Sequence, residues 1–164
     1  MTLQPRPHGF SLIELMVVLA LFAIAIAIAV PNLASLIRND QIESQAQQIN
    51  SLLQYARSEA VVRRARINLS NNGGTWTVRD LSRNENLRQE TFDATNISIA
   101  TNPSPLTVTY SPNGTASAAR AIVCNNNKVE TAYLITIQAS GSSKIHARGK
   151  QANNTTALGG VHHE

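Results

Sequence analysis

The sequence is poor in cysteine, in aromatic residues and in charge. A single cysteine, Cys124, excludes an internal disulfide, and we expect it to be a buried, unreactive thiol. Aromatic residues make up 4% of the chain and charged residues 15%, against roughly 25% charged in an average soluble domain. There is no Walker loop, zinc-ligand spacing or nucleophile elbow. The sequence therefore predicts no enzyme, no metal site and no cofactor.

One long apolar run stands out from this polar background. Between Phe10 and Ile37, 23 of 28 residues are apolar, and the stretch from Leu15 to Val30 is unbroken. A membrane-spanning helix needs roughly 20 such residues, and no second run of that length occurs, which excludes a polytopic membrane protein. We predict one membrane segment joined to a polar domain, in a chain whose net charge is +4.

The start of the chain differs from an ordinary secretory signal. Such a signal has an apolar stretch of about 7–15 residues followed by a small-residue cleavage site, whereas here the run is longer and Pro31 follows it. Glu14 lies inside the apolar segment, where a carboxylate costs about 2.5–3.5 kcal/mol to insert into a bilayer. This cost favours a function for Glu14, such as pairing with a positive group of another helix.

The stretch 9–15, GFSLIEL, resembles the processing site of type IV pilins and type II secretion pseudopilins. The resemblance implies that residues 1–9 are a leader peptide, which a prepilin peptidase removes between Gly9 and Phe10. It also implies that the new amino group of Phe10 is N-methylated, and that Glu14 neutralises the amino terminus of a neighbouring subunit during assembly. In this family, the proline at the position of Pro31 kinks the long helix.

Helical periodicity continues after this proline. We predict one helix over about 10–66, whose first half lies in the membrane and whose second half lays an apolar stripe on a core. The stripe comprises Ile42, Ala46, Ile49, Leu53, Ala56 and Ala60. Arginines end the helix, where they favour the helix dipole and are expected to stay solvated: Arg57, Arg63, Arg64 and Arg66.

From Ile67 onward the apolar period changes to two. Asn71–Gly74 predicts a tight turn inside a β-hairpin, and further strands are predicted over 97–99, 106–110, 121–124 and 132–138. Strands that follow one helix indicate an α+β fold, with an antiparallel sheet packed on the helix stripe. The predicted parts are the leader (1–9), the membrane and assembly half of the helix (10–37), the globular domain (38–150) and a mobile tail (151–164), which ends in a solvated His162-His163-Glu164.

The globular half is similar to the GspH/FimT family of minor pseudopilins and minor pilins. The similarity rests on residues 55–61 (YARSEAV) with Trp76, on 106–114 (LTVTYSPNG), and on the strands that follow as far as Gly141. It implies a type IV pilin-like fold and assembly with other pilin subunits. It also implies a single-pass inner-membrane precursor with its globular domain in the periplasm, and later a place in a pilus at the cell surface.

The carboxy-terminal region is basic. Lys144, Arg148 and Lys150 lie close together in the sequence, and clustered cations can neutralise successive phosphates of double-stranded DNA. Because aromatic residues are few, we expect contacts to the backbone without sequence preference. FimT-like minor pilins of naturally competent bacteria bind DNA through a G-R-x-R-type motif; the matching residues 141–144, GSSK, keep the glycine and the last cation. From charge alone, a solvated basic surface explains the region equally well.

Two functions stay open at this point. The first is a minor pilin of a type IV pilus, at or near the pilus tip, that supports natural transformation by binding DNA through Lys144, Arg148 and Lys150. The second is a GspH-like minor pseudopilin of a type II secretion system, with a structural role and no DNA binding. The serine at position 142, where the motif has its first arginine, leaves room for the second.

Overall fold

A computed structural model describes residues 11–92, 97–125, 128–153 and 156–158 of the chain. Gly9 and Phe10, most of the predicted tail and the terminal His162-His163-Glu164 lie outside these ranges. The chain divides into two compact units, Met1–Arg38 and Asn39–Glu164. Every described residue of the buried apolar core lies at or after Ile42, so the second unit keeps its whole core without the first.

A single helix, α1, runs from Leu12 to Arg63. It begins at Ser11, whose Oγ accepts a hydrogen bond from the backbone N–H of Glu14 at 3.2 Å, in the manner of an N-cap. The helix continues through Pro31 and is long and apolar enough to cross a membrane, with a mean hydropathy of 2.9 in its most apolar window. The predicted helix is thus confirmed, and its ends lie two or three residues inside the predicted ones.

The predicted apolar stripe of α1 is also confirmed. All six of its residues are at most 1% exposed, and Leu52, which the stripe omitted, is fully buried as well. Burying each of the isoleucine and leucine side chains stabilises the fold by about 1.5–3 kcal/mol. In the globular unit the helix is therefore held by tertiary packing of one face, which is the usual source of helix stability in proteins.

Eight strands follow α1 in the described residues. In chain order they are β1 (Ile67–Asn72), β2 (Thr75–Asp80), β3 (Glu85–Thr91), β4 (Ile97–Asn102), β5 (Thr107–Tyr110), β6 (Ala119–Asn125), β7 (Lys128–Ile137) and β8 (Ser143–Ile145). They form two antiparallel four-stranded sheets, sheet A in the order β3-β2-β1-β5 and sheet B in the order β4-β6-β7-β8. The α+β class and the first hairpin are confirmed, but the single predicted sheet is wrong because the strands separate into two.

Both sheets and α1 contribute to one core. Its largest fully buried side chains include Trp76 and Tyr110, and Trp76 meets Phe92 edge to face at 5.9 Å between ring centroids. Burial raises the pKa of Tyr110 to about 12, although the charge of Arg57 acts in the opposite direction. Cys124 is fully buried, as expected, with its Sγ 3.0 Å from Ser98 Oγ.

Candidate nucleic-acid interface

The basic carboxy-terminal region begins on a hairpin that lies along α1. As the chain runs forward from Ser140 to Arg148, its partners on α1 run backward, so this segment is antiparallel to the helix. Three hydrogen bonds fix it: Arg57 Nη2 to the carbonyl of Ser140 at 3.2 Å, Ser143 Oγ to Asn50 Oδ1 at 2.7 Å, and Arg148 Nη2 to Asn39 Oδ1 at 2.7 Å. The segment therefore has a defined position on the globular unit.

Gly141, the first residue of the motif-like stretch, has a structural role. It adopts a φ of +79°, and a Cβ built on it would lie 1.8 Å from the carbonyl oxygen of Gly114. Arg57 donates from Nε to that same carbonyl at 3.2 Å. Arg57 is exposed, as expected, and its guanidinium also joins the loop at Gly114 to the hairpin at Gly141.

Lys144 lies in β8 on the face of sheet B that points away from α1. Its neighbour Ser143 contacts α1, and successive side chains of a strand point to opposite faces. Lys144 pairs with Thr136 of β7, which in turn pairs with Arg120 of β6. The register places Lys144 and Arg120 on the same face, about 10 Å apart between Cα atoms.

Both of these cations are available to a ligand. Arg120 and Lys144 are exposed, and in the described part of the chain neither side chain takes part in a hydrogen bond or ion pair. The sequence pattern did not place Arg120 in the candidate site. Only the strand register shows that it shares a face with Lys144.

Arg148 lies in different surroundings from Lys144. Its side chain contacts α1 through Asn39, near a hydrogen bond from the Tyr133 hydroxyl to Glu43 Oε2 at 3.0 Å. Partial burial raises the pKa of Tyr133, and its hydrogen bond to Glu43 raises this pKa further. The positive charge of Arg148 lowers the pKa of Tyr133, whereas the negative charge of Asp40 raises it. Arg148 therefore lies on the α1 side, whereas Lys144 faces away from α1.

Lys150, the third predicted cation, begins a fold-back of the chain. It is half-buried, its backbone N–H donates to the carbonyl of Ala147 at 3.0 Å, and it forms an isolated bridge with Ala157. The structure thus separates Arg148 from Lys144 and places Lys150 where the chain folds back. The described beginning of the predicted tail has bonds of its own, including Leu158 N–H to the carbonyl of Gly149 at 2.9 Å.

A shallow groove of about 560 Å³ opens beside the Gly141 hairpin, lined by Val61 and Val62 of α1 and by the loops at Gly114 and Gly141. No group of three or more His, Cys, Asp or Glu suited to a metal ion occurs among the described residues. Most of the other residues that line the groove are polar, including Arg57, Ser58 and Ser143.

The other candidate residues lie at the beginning of α1. Glu14 is in the first turn of the helix and is exposed among exposed apolar side chains. In the described residues its carboxylate has no hydrogen bond or ion pair. Its predicted partner, the amino terminus of a neighbouring Phe10, belongs to another subunit, so pairing by Glu14 and a kink at Pro31 remain predictions.

A long apolar amino-terminal helix, followed in the chain by antiparallel sheets, is the architecture of a pilin-like subunit. Residues 5–30 match the prokaryotic N-terminal methylation motif, and residues 45–141 match the family described as Type II transport protein GspH. The chain belongs to this GspH family. It is a minor pilin or minor pseudopilin of a type IV pilus or a type II secretion system, and such proteins assemble with other pilin subunits.

Solved structures of the same fold agree with this assignment. The type IV minor pilin FimU of Pseudomonas aeruginosa is similar with a TM-score of 0.64 and 22% identity, over 76% of this chain and 98% of that one. The minor pseudopilin EpsH of Vibrio cholerae is similar with a TM-score of 0.54 and 12% identity, over 64% of this chain and 95% of that one. At these identities the comparison establishes the fold. No curated protein matches the sequence.

Proposed function

We propose that this GspH-family chain is a minor pilin of a type IV pilus, assembled at or near the tip, that supports DNA uptake by binding double-stranded DNA. It is made as an inner-membrane precursor with its globular unit in the periplasm, and prepilin peptidase cleaves it between Gly9 and Phe10. After assembly with other pilin subunits, it is exposed at the cell surface.

Assembly depends on Glu14 in this proposal. A carboxylate in an apolar helix is costly alone, and it is far less costly when it pairs with a positive group in the same low-dielectric surroundings. The methylated amino group of Phe10 in a neighbouring subunit is such a partner. Pairing would therefore favour transfer of the helix from the membrane into a bundle of helices.

The observation that carries DNA binding is the pair of exposed, unpaired cations on one face of sheet B, Lys144 and Arg120. Cations that are free of intramolecular ion pairs can contact phosphates without first breaking a bond. Trp76 and Tyr110 are buried and cannot serve as stacking platforms for bases, so the contacts go to the backbone. Arg148 and Lys150 would add weaker contacts, since Arg148 already donates a hydrogen bond to Asn39.

Replacing Lys144 by glutamine should weaken DNA binding and its dependence on salt. In a titration of residues 38–164 with a short duplex, log K should fall linearly with log salt, and each phosphate contact adds roughly 0.9 to the slope. In the variant Lys144→Gln the slope of log K against log salt should be smaller in magnitude by about 0.9. The variant Arg120→Gln should show a similar reduction, and Arg148→Gln a smaller one. Arg38→Gln removes an exposed arginine that is not one of these cations, and it is the matched control.

The same titration separates the proposal from its alternative. No binding at about 50 mM salt, or binding that none of Lys144, Arg148, Lys150 and Arg120 affects, would contradict a DNA role for this region. That result would favour a GspH-like minor pseudopilin of a type II secretion system with a structural role. The observation that favours this alternative is Ser142, an uncharged residue where the DNA-binding motif has its first arginine.

A further inference from the structure

The end of α1 has an arginine where helices usually place glycine. The backbone N–H of Arg64 bonds to the carbonyl of Val61 at 3.4 Å, and that of Ala65 bonds to the carbonyl of Ala60 at 3.2 Å. These two bonds form a Schellman motif, with Arg64 as the first residue beyond the helix and a φ of +50°. This left-handed position favours glycine because a Cβ crowds the backbone there.

The charge of Arg64 favours the helix dipole, but its left-handed backbone favours glycine over arginine at this position. Its side chain is exposed and, among the described residues, has no hydrogen bond or ion pair. The chain thus accepts local backbone strain and keeps a free positive charge. Strain that is retained at a surface residue without a structural partner points to a function for that side chain.

Two further arginines lie at the same place. The N–H of Leu81 bonds to the carbonyl of Arg66 at 3.0 Å, which places Arg66 against the turn that carries Arg83. Both side chains are exposed and, in the described part of the chain, unpaired. We call Arg64, Arg66 and Arg83 the α1-end surface.

Some charged neighbours of the α1-end surface are engaged by other groups, whereas Asp80 Oδ2 is buried without a hydrogen-bond partner among the described residues. Arg63 pairs with Glu59 and also lies near Glu85, which raises its pKa. The buried carboxylate of Asp80 accepts the N–H groups of Ser82 and Arg83 through Oδ1, at 2.8 and 3.1 Å. The surface therefore keeps an excess of free positive charge.

The α1-end surface also lies at the carboxy-terminal end of α1. Within this unit α1 runs from Asn39 to Arg63, a length of about 36 Å. The surface is at the end of the helix opposite to Asn39, where the chain enters the unit. A long ligand can therefore reach it without passing the chain entry.

We infer that Arg64, Arg66 and Arg83 form a second contact surface for the phosphate backbone of double-stranded DNA, distinct from the face of Lys144 and Arg120. This inference rests on the proposed function, because it extends a DNA-binding role to a further site. Arginine presents a planar fork that matches phosphate oxygens. Contacts to the phosphate backbone carry no sequence preference.

The decisive variant is Arg64→Gly, which removes the charge and relieves the left-handed backbone. In residues 38–164 it should raise Tm by about 2–4 °C and lower affinity for a short duplex on the order of fivefold to tenfold at about 0.1 M salt. The combined variant Arg64→Gly, Arg66→Gln and Arg83→Gln should reduce the salt slope by about 2.7, or roughly 0.9 for each contact. Because Arg64→Gly is the more stable protein, unfolding cannot explain its loss of binding.

The controls are Arg38→Gln, which should leave the slope unchanged, and Lys144→Gln, which reports on the other face. A lower slope in the α1-end variants but not in Arg38→Gln supports the inference. An unchanged slope in them, with a lower slope in Lys144→Gln, overturns the inference and leaves the proposed function standing. Unchanged DNA binding together with loss of the triple variant from filaments also overturns it, and would assign the surface to an acidic subunit. No DNA binding by the unaltered protein overturns both.

Discussion

Replacing Gly141 by alanine is expected to destabilise the globular unit by about 3 kcal/mol or more. An added Cβ would lie 1.8 Å from the carbonyl oxygen of Gly114, and the φ of +79° is unfavourable for any residue with a side chain. The obstacle is backbone, and Arg57 holds that carbonyl in place. The hairpin must therefore move away from the loop at Gly114, which breaks the contacts that Arg57 makes with both.

Gly73 offers a matched control for this substitution. It also has a positive φ, +58°, but a Cβ there would have nothing within 4 Å. Gly73→Ala should therefore cost only the backbone term, about 1 kcal/mol. Urea unfolding of residues 38–164, followed by the fluorescence of Trp76, measures both values. Equal losses for the two variants would show that the close approach to Gly114 does not exist in solution.

The variant Glu14→Gln should reduce incorporation into filaments by more than tenfold. Removing one partner of a buried ion pair costs about 3–5 kcal/mol, and each 1.4 kcal/mol corresponds to a factor of ten. The glutamine keeps the shape of the side chain and lowers the cost of membrane insertion. The protein should therefore accumulate in the membrane fraction while its amount in sheared filaments falls.

The control for Glu14 is a carboxylate elsewhere on α1. Glu43→Gln removes the same charge from an exposed residue of the globular unit, and it should enter filaments at close to the normal level. Immunoblots of sheared and cell-bound fractions give the ratio for each variant. Normal incorporation of Glu14→Gln, or an equal loss in Glu43→Gln, would exclude pairing by Glu14 as the step that drives assembly.

The sequence predicted the part of the fold that follows from periodicity. Apolar residues on one face of α1 recur every three or four positions, so the six residues of the stripe could be named from the sequence. All six are buried. β3 was missed because its residues are mostly polar and exposed, with Leu87 as its only packed apolar residue. β8 was missed because three residues are too few to show an alternation. The division into two sheets depends on strand pairing, which periodicity does not contain.

The candidate site likewise contains residues that the sequence could single out and residues that only the fold brings together. Lys144 could be singled out because it lies in a basic part of the sequence, but Arg120 is 24 positions away and joins it only through the registers with Thr136. Arg57 looked like other arginines at a helix end, because its two carbonyl partners come from distant loops. The left-handed Arg64 had no sequence signal, since the exact last residue of a helix cannot be read from a pattern.

The mass of the mature protein tests most directly whether the chain is a processed pilin-type subunit. Protein recovered from cells that contain a prepilin peptidase should begin at Phe10 and carry one methyl group on its amino terminus, whereas Gly9→Ala should retain residues 1–9. Mass spectrometry of the intact protein resolves these forms. An unaltered chain that still begins at Met1, or normal cleavage of Gly9→Ala, would contradict the account.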